Sequence, residues 1–386
     1  MKKILIIHTK YRNLGGEDIA VENEVSILSK YFEIETLYYE NRKVSIFSDL
    51  VAFITNNNFK SNKLLEEKIN NFQPEIVIVH NSWFKANLGI FRLLENKNIP
   101  TFLKIHNFRY VCTSSFTKKG HVFNNNICQA CGVDYKKTKI FNKYFYNSFI
   151  KSLAVLNYGR KYLEILNNEK INLLVLTAHH KHFLDGYLSS NKQILILPNT
   201  LDVKTDEIEP NSSNNEKYIV YAGRISSEKG VDSLISAFLN SEVKNIKLKI
   251  IGEGPELNFL KSKHKDDTNV IFLGQLTNDE VTSYISRSAL VITATKLFEG
   301  QPTLLCEASL LGVPSIFPKT GGISEFFPPN YQYTFEQYDY KDLENKIRHY
   351  FLKADRGDLG EKNRKFIEKY LDEKLIVSRL KKSFSK

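Results

Sequence analysis

Short runs of apolar residues alternate along the chain with segments whose apolar residues recur at helical spacing. In the first half the strand candidates, most of them apolar throughout, span residues 4–7, 35–39, 76–79, 101–105, 173–176 and 194–197. In the second half the strand candidates span residues 218–222, 247–251, 270–273 and 291–294. Alternation of strands and helices is typical of parallel, doubly wound sheets. The pattern therefore predicts an α/β protein.

The length and one polar segment divide the chain in two. With 386 residues, the chain is too long for one ordinary domain. Residues 205–217 are polar and include Pro210, which is typical of a linker. We predict an N-terminal domain of residues 1–203, onto which a basic helical tail of residues 372–386 packs back, and a C-terminal domain of residues 204–371.

The second half is organised around residues 291–314. We interpret 291–294 as the end of a buried strand, 295–301 as a loop, 302–311 as a helix and 313–317 as the next strand. Pro302 takes the first helical position, where a missing N–H costs nothing, and Gly312 lies just past the helix end.

This stretch fixes two carboxylates, Glu299 in the loop and Glu307 on the helix. Open parallel sheets bind ligands at the carboxyl ends of their strands, and the free N–H groups of a helix start attract phosphate. Glu307 is then placed to accept hydrogen bonds from a ribose, and Glu299 to reach hydroxyls beyond the phosphates. The alternative is that both are ordinary surface acids.

Two cations follow the strand at 218–222. Arg224 offers a forked pair of donors and Lys229 a point charge, a combination that suits a diphosphate. Unpaired surface cations are the alternative. After the next strand, the glycines of Gly252-Glu253-Gly254 favour backbone contact with the edge of a nucleobase.

The first strand is followed by Gly15-Gly16 and a helical pattern over residues 19–28. The pair lets backbone approach a ligand, although the G-x-G-x-x-G fingerprint of a classical NAD site is missing and a plain tight turn is the alternative. Glu17 and Asp18 either cap the helix or face an acceptor. His106-Asn107 follows the strand at 101–105, a position that favours contact with a ligand over a structural role.

A cysteine-bearing segment follows the strand at 101–105. Cys128-x-x-Cys131 has the spacing of a metal knuckle, and Cys112 and His121 complete a possible Cys3His zinc site. Free thiols are the favoured alternative, and four cysteines in a chain of this size form no disulfide framework. No catalytic metal and no cofactor are expected.

The net charge of +11 favours acidic partners. Residues 136–161 contain seven basic residues, no acidic residue and interleaved aromatic residues. This stretch is either a basic amphipathic helix on an anionic membrane surface or a helix that covers its own domain. No RNA- or DNA-binding signature accompanies it, so nucleic acid is not an expected partner. No apolar run is long enough for a signal peptide or for a membrane-spanning helix. We therefore predict a cytoplasmic protein that is at most peripherally bound to the inner face of the cell membrane.

Taken together, the motifs resemble the retaining glycosyltransferases of family GT4. The motifs that carry the resemblance are Gly223-Arg224…Glu228-Lys229-Gly230, Gly252-Glu-Gly-Pro255, and Glu299-x7-Glu307 followed by Gly321-Gly322…Glu325. The first half is similar more loosely, through Gly15-Gly16, His106 and Pro198-Asn199…Asp202. The glycine and cysteine loops resemble a subgroup linked to bacterial surface polysaccharides. The resemblance implies the GT-B fold, with two Rossmann-like domains whose parallel sheets face a central cleft.

The resemblance also implies roles for individual residues. His106 and Glu299 would be the catalytic pair beside the donor sugar, and Glu307 would bind the ribose. The donor-binding residues would be Gly16, Arg224, Lys229, Gly252, Gly254, Gly300, Gln301, Pro302, Thr303 and Glu307. The acceptor-binding residues would be Glu17, Asp18 and Asn107.

The expected reaction is transfer of a sugar, with retention, from a nucleotide-diphosphate sugar to a glycan or polyprenyl-linked acceptor. Stabilising the departing diphosphate is the main electrostatic task, and the cations and the helix start are predicted to meet it without metal. The alternatives are a nucleotide-sugar epimerase or a sugar phosphorylase on the same fold and, from another class, a basic nucleic-acid-binding protein.

Overall fold

The chain folds into two compact units. The computed structural model describes residues 1–11, 15–41, 46–115, 127–133, 145, 148–189, 192–203, 217–352 and 358–384. Met1–Leu201 and Glu373–Lys386 form unit 1, and Asp202–Asp372 form unit 2. None of the helices in these ranges is both long and apolar enough to cross a membrane.

Unit 1 is built on a parallel sheet with the strand order β2-β1-β3-β4-β5-β6. The strands are β1 (Lys3–Lys10), β2 (Glu33–Glu40), β3 (Ile76–Val79), β4 (Thr101–Ile105), β5 (Ile171–Val175) and β6 (Ile194–Ile196). The helices are α1 (Gly16–Leu28), α2 (Ile46–Thr55), α3 (Phe59–Phe72), α4 (Gly89–Asn96), α5 (Arg109–Ser115), α6 (Phe149–Asn167) and α7 (Ala178–Asp185). All residues of β3 and β4 are buried, as expected for parallel strands covered on both faces.

Unit 2 has a second parallel sheet with the order β12-β11-β10-β7-β8-β9. Its strands are β7 (Lys217–Ala222), β8 (Ile246–Ile251), β9 (Val270–Gly274), β10 (Leu290–Ile292), β11 (Ser315–Lys319) and β12 (Thr334–Glu336). Its helices are α8 (Val231–Asn240), α9 (Leu257–Lys263), α10 (Asn278–Ser286), α11 (Thr303–Leu310), α12 (Tyr340–Leu352) and α13 (Leu359–Tyr370). The α/β prediction is confirmed in both units.

Each sheet has one point where the strand order reverses. Counted from β7, the order of unit 2 is the classical doubly wound order, and it reverses between β7 and β10. In unit 1 the reversal lies between β1 and β3. Ligands of open α/β sheets bind at the carboxyl ends of the strands beside such a reversal. The fold therefore directs attention to the loops after β1 and β3 in one unit and after β7 and β10 in the other.

Helix α1 begins at Gly16, three residues before the predicted start. Gly15 is the N-cap, and its backbone N–H donates to Oδ2 of Asp18 at 2.8 Å. The apolar pattern begins later than the helix and so missed its first turn, whereas this bond is the capping role that the sequence offered for Asp18 as one of two alternatives. Gly16 is thus the first residue of α1 and not part of a loop.

Two predicted boundaries around α11 are also corrected. The helix begins at Thr303, and Pro302 is its N-cap with ψ at 86°, so Pro302 is not the first helical residue. At the other end Gly312 has φ at +70°, and the backbone N–H of Val313 donates to the carbonyl of Ala308 at 2.8 Å. This tight turn holds Val313 outside the sheet, so β11 begins two residues later than predicted, at Ser315.

The last helix, α14 (Glu373–Ser383), belongs to unit 1. Glu373 accepts hydrogen bonds from Lys30 and from the hydroxyl of Tyr31, each at 2.8 Å. Just beyond the helix, the ring of Phe384 packs edge-on against Phe32 and Phe102. The tail is therefore part of the core of this unit.

Candidate functional site

Most of the predicted donor residues of unit 2 lie beside the strand reversal, in the loop after β7 and in the loop and helix after β10. Nζ of Lys229, in the loop after β7, donates to Oε1 of Glu299, in the loop after β10, at 2.6 Å. The hydroxyl of Thr295 donates to the same oxygen at 2.8 Å. The Lys229 and Glu299 side chains are 30% and 22% exposed. The sequence assigned these two residues separate roles, and the structure shows that they are also partners.

Glycines allow these loops to approach one another at backbone distance. A Cβ built on Gly230, which has φ at +68°, would lie 2.1 Å from the carbonyl oxygen of Ala294. A Cβ on Gly321, which has φ at +56°, would lie 2.1 Å from the carbonyl oxygen of Glu299. No other residue type fits either position without moving the neighbouring loop. These glycines therefore set the place of the loop that carries Glu299.

The same reasoning applies to Gly252 and Gly254, predicted to contact a nucleobase. Their Cβ atoms would lie 2.0 Å from the carbonyl oxygen of Gly223 and 2.1 Å from that of Ile225. The amide N–H of Ile225 also donates to the carbonyl of Glu253 at 2.8 Å. Contacts between the two loops therefore account for both glycines, and their contact with a ligand stays a prediction.

Backbone hydrogen bonds hold the loop after β10 from both sides. The N–H of Lys296 donates to the carbonyl of Glu228 at 2.8 Å, and the N–H of Gly322 donates to the carbonyl of Glu299 at 2.9 Å. The loops after β7, β10 and β11 are thus joined around Glu299. A loop fixed in this way presents its side chains at reproducible positions.

Arg224 is exposed in the loop after β7, where its carbonyl accepts a hydrogen bond from the hydroxyl of Tyr221 at 2.9 Å. This bond holds the backbone of Arg224 in place, and the guanidinium group takes no part in it. The arrangement fits a cation that meets a mobile anionic ligand.

The start of α11 supplies the other polar groups. Gly300, Gln301 and Pro302 lead into the helix and are all buried, and Thr303 is its first residue. Glu307 lies one turn after Thr303 on the same helical face. Burial raises the pKa of Glu307 to about 7. A partly buried acid one turn from the free N–H groups of a helix start fits a site that receives hydroxyl and phosphate groups.

In unit 1 the neighbouring residues Glu17 and Asp18 have different environments. Asp18 is buried, and its Oδ1 is 2.8 Å from Nε2 of His8. Burial alone would raise the pKa of Asp18, but hydrogen bonds from His8, Gly15 and Tyr11 outweigh it and lower the pKa. Both oxygens of Asp18 are engaged inside the unit, where the side chain caps α1 and holds His8. Its contact with an acceptor stays a prediction.

Glu17 is only partly buried. Its Oε2 accepts a hydrogen bond from the hydroxyl of Tyr11 at 2.9 Å. Burial raises the pKa of Glu17, against smaller opposing effects of His8, Tyr11 and Arg109. The neighbouring Gly16 is exposed, and a Cβ built there would contact nothing within 4 Å. Packing within the chain therefore does not require glycine at this position.

His106 and Asn107 follow β4 and are partly buried. Nε2 of His106 is 2.9 Å from Nδ1 of His80, and the rings stack with centroids 5.2 Å apart. Burial, followed by Lys104, His8 and His180, lowers the pKa of His106 well below its usual value. The oxygen of the Asn107 side chain accepts the N–H of Arg109 at 3.1 Å, so it helps to start α5. The acceptor role of Asn107 stays a prediction.

Sequence reasoning missed the polar side chains beneath His106. They are His8 on β1, Glu24 on α1, His80 after β3 and Lys104 on β4. The available signal was the spacing of the histidines: His8, His80 and His106 each lie at or just beyond the end of an apolar run, on three strands that are neighbours in the sheet. Adjacent parallel strands bring such ends together.

Part of the zinc prediction lies outside the described residues. His121 and the side chain of Cys112 are not among them, while Cys128 is buried and Cys131 is partly buried in a turn closed by the N–H of Gly132 and the carbonyl of Cys128 at 2.8 Å. Within the described ranges, no three His, Cys, Asp or Glu side chains converge as a metal site. The zinc site stays a prediction.

Residues 202–370 match the family model described as glycosyl transferases group 1. A GDP-mannose-dependent alpha-mannosyltransferase of Corynebacterium glutamicum is 36% identical over 111 residues, which are 28% of this chain and 25% of the relative. An amylovoran biosynthesis glycosyltransferase of Erwinia amylovora is 25% identical over 331 residues, 82% of this chain and 80% of the relative. The chain spans only 25% to 31% of the length of the first three curated relatives that it matches.

Two solved structures share the architecture over the whole chain. Sucrose-phosphate synthase from Thermosynechococcus elongatus has a TM-score of 0.74 at 14% identity and covers 100% of this chain and 98% of its own. Anabaena HepE in complex with UDP and glucose has a TM-score of 0.69 at 13% identity and covers 100% of both chains. At such low identity the likeness concerns the fold alone. The comparisons show that the chain has the GT-B fold, and they support a GT-B glycosyltransferase whose family match is carried by residues 202–370.

Proposed function

We propose that the protein transfers a sugar, with retention, from a nucleotide-diphosphate sugar to a glycan or polyprenyl-linked acceptor. The observation that carries this proposal is the convergence of Lys229, Glu299 and the start of α11 beside the strand reversal of unit 2. The family match covers the same residues, and relatives named for polysaccharide synthesis favour that pathway.

The diphosphate of the donor is assigned to Arg224, Lys229 and the first turn of α11. A leaving diphosphate needs positive charge and N–H donors, and these groups supply both. Lys229 is paired with Glu299 at 2.6 Å, so the phosphate would compete with this carboxylate for the ammonium group. Glu299, freed in part, would then accept hydrogen bonds from the hydroxyls of the donor sugar.

Glu307 is assigned to the ribose. Its raised pKa of about 7 reflects burial, and hydroxyl donors from a ribose would satisfy its oxygens and favour the carboxylate. Nucleotide binding in this arrangement would lower the pKa of Glu307. A solved neighbour holds UDP and a relative uses GDP-mannose, so both nucleotides are suitable probes.

His106 of unit 1 is assigned to the sugar and Glu17 to the acceptor. Retention would follow a front-face route in which the leaving phosphate assists deprotonation of the acceptor. No metal is assigned to this step, because the two cations and the helix start supply the charge. The alternative of an epimerase or phosphorylase is not favoured, because the family model and the two curated relatives described above are named for glycosyl transfer.

We also propose that α6 docks on an anionic membrane surface. Phe149, Ile150 and Leu153 are 44%, 69% and 48% exposed near the start of α6, and Lys151 lies among them. An apolar ridge with an adjacent lysine suits the interface of an anionic bilayer. Cosedimentation with vesicles that contain anionic lipid is expected, and Ile150→Asp should abolish it. Equal sedimentation of wild type and variant would remove the proposal.

Donor binding is tested by thermal unfolding of wild type and Glu307→Ala against UDP, GDP and a panel of their sugars. At least one donor should raise the midpoint for wild type, and the shift should be lost in Glu307→Ala relative to that variant's own baseline. Glu368→Ala, an exposed glutamate on α13, serves as the control and should respond like wild type. Equal shifts in Glu307→Ala and wild type, or no shift with any donor, would contradict the assignment.

A further inference from the structure

In unit 1 a row of buried polar side chains leads from Lys104 through Glu24 and His80 to His106. His80 and Lys104 are buried with 4% and 0% exposure, and Glu24 is buried with 3%. Nζ of Lys104 donates to Oε2 of Glu24, and the other oxygen of Glu24, Oε1, lies 3.9 Å from Nε2 of His80. On its other side, Nδ1 of His80 bonds to His106. These contacts place the four side chains in the order Lys104, Glu24, His80, His106.

The His80–His106 bond has two possible directions. Burial, with His106 and Lys104 as the next causes, lowers the pKa of His80 well below its usual value, and the pKa of His106 is lowered in the same way. Both rings are therefore neutral near pH 7, and each carries a single proton on one nitrogen. Either His80 donates through Nδ1, or His106 donates through Nε2.

Glu24 decides between these directions. Nε2 of His80 and Oε1 of Glu24 are both buried, face each other, and have no hydrogen-bond partner among the described residues. A bare nitrogen facing a carboxylate oxygen is repelled by it, whereas an N–H is attracted. The proton of His80 therefore belongs on Nε2, and its Nδ1 must accept from Nε2–H of His106.

We propose that Glu24 and His80 are positioning residues that fix the tautomer of His106, so that its Nδ1 is left as a hydrogen-bond acceptor for a hydroxyl of the substrate. Nδ1 of His106 makes no hydrogen bond within the described part of the chain, and the residue is partly exposed. An acceptor nitrogen selects ligand groups that donate and repels phosphate oxygens. The proposal rests on the proposed function only for the statement that this hydroxyl belongs to the sugar.

The other titratable side chains next to this row of polar groups form hydrogen bonds with different partners. Nε2 of His8 bonds to Asp18 at 2.8 Å, and its ring meets His80 edge-on with centroids 6.3 Å apart. Nε2 of His180 is 3.0 Å from the hydroxyl of Tyr110. Lys104 bonds to Oε2 of Glu24, which leaves Oε1 as the oxygen that faces His80.

Nitrogen-15 NMR of the histidine rings in the full-length protein without substrate tests the tautomer directly. At pH 7 we expect neutral His80 and His106, each protonated at Nε2. In Glu24→Gln/Lys104→Met, which removes both charges so that neither stays buried alone, His106 should become a mixture of both tautomers. Protonation of His106 at Nδ1 in wild type, or an unchanged spectrum in the double variant, would overturn the proposal. This readout needs no activity, so it stays valid if the proposed function fails.

Kinetics supply the second test. His80→Phe should lower kcat/KM about tenfold, because the orientation of one hydrogen bond is lost. His80→Asn should recover most of that loss, since Oδ1 of Asn is able to accept from Nε2–H of His106. Adding His80→Phe to His106→Ala should cause no further loss. Additive losses, or failure of Asn to rescue, would show that His80 has a structural role only.

Discussion

Each unit carries a Lys–Glu ion pair next to its strand reversal, and the two pairs are placed in opposite ways. Lys104–Glu24 in unit 1 is buried, with 0% and 4% exposed side chains, whereas Lys229–Glu299 in unit 2 is 30% and 22% exposed. Buried charges are costly to separate because water is not at hand to replace the lost partner. Exposed pairs exchange partners at little cost. One pair therefore suits a fixed scaffold and the other a ligand that arrives and leaves.

The largest effect is expected from breaking the buried pair. Lys104→Met leaves the Glu24 carboxylate buried without its cation, which should lower the free energy of unfolding by about 3–5 kcal/mol. Chemical denaturation of the whole protein measures this. As a control, Lys319→Met breaks the exposed pair with Glu336 and should cost less than about 1 kcal/mol. Similar losses in the two variants would remove the distinction between the pairs.

Loop packing in unit 2 gives the next largest effect. Gly230→Ala combines a left-handed backbone with a Cβ at 2.1 Å from the carbonyl oxygen of Ala294, and should cost about 3 kcal/mol. Gly312→Ala is the matched control, because Gly312 has a similar φ of +70° and nothing lies within 4 Å of its Cβ. It should cost about 1 kcal/mol. If urea denaturation gives equal losses, backbone strain alone explains Gly230, and the contact between the loops contributes nothing.

A pH effect is expected from Glu307, the acid of unit 2 whose pKa is raised to about 7. The folded protein holds this proton above the ordinary carboxyl pKa of 4.5, so stability is lost as pH rises through that window and the loss is complete above pH 7. Glu307→Gln should therefore raise the free energy of unfolding by about 2 kcal/mol more at pH 8 than at pH 5. Denaturation at the two pH values measures this. A pH-independent difference would show that Glu307 titrates normally.

The sequence predicted the architecture far better than the buried polar contacts that lead to His106. Apolar runs marked nearly all strands, because parallel strands buried on both faces are continuous in apolar residues. The short edge strand Thr334–Glu336 was missed for want of such a run. The role of Lys104 in the strand at 101–105 was not predicted, because its partner Glu24 is 80 residues away and the pattern of each element alone gives no sign of the pairing.

The residues at the strand ends of unit 2 could be chosen from the sequence because glycine loops and helix starts are local signals. Their mutual contacts could not, since Lys229 and Glu299 are 70 residues apart. The reason for the glycines was likewise missed, since the close approach of Gly321 to the backbone of Glu299 depends on how two loops pack. Local chemistry thus predicted candidates, and tertiary packing determined their partners.

The smallest effect on stability, and a large one on binding, is expected from the exposed pair. Lys229→Ala removes a partner that is already partly hydrated, and Glu299 keeps its hydrogen bond from Thr295, so the free energy of unfolding should change by less than about 1 kcal/mol. The affinity for UDP or GDP, measured by calorimetry, should nevertheless fall at least about tenfold, because a charge-assisted bond to phosphate is lost. Lys263→Ala, which breaks an exposed pair with Asp232 in the same unit, should leave that affinity unchanged. A stability loss as large as that of Lys104→Met, with nucleotide affinity intact, would mean that Lys229 also belongs to the scaffold.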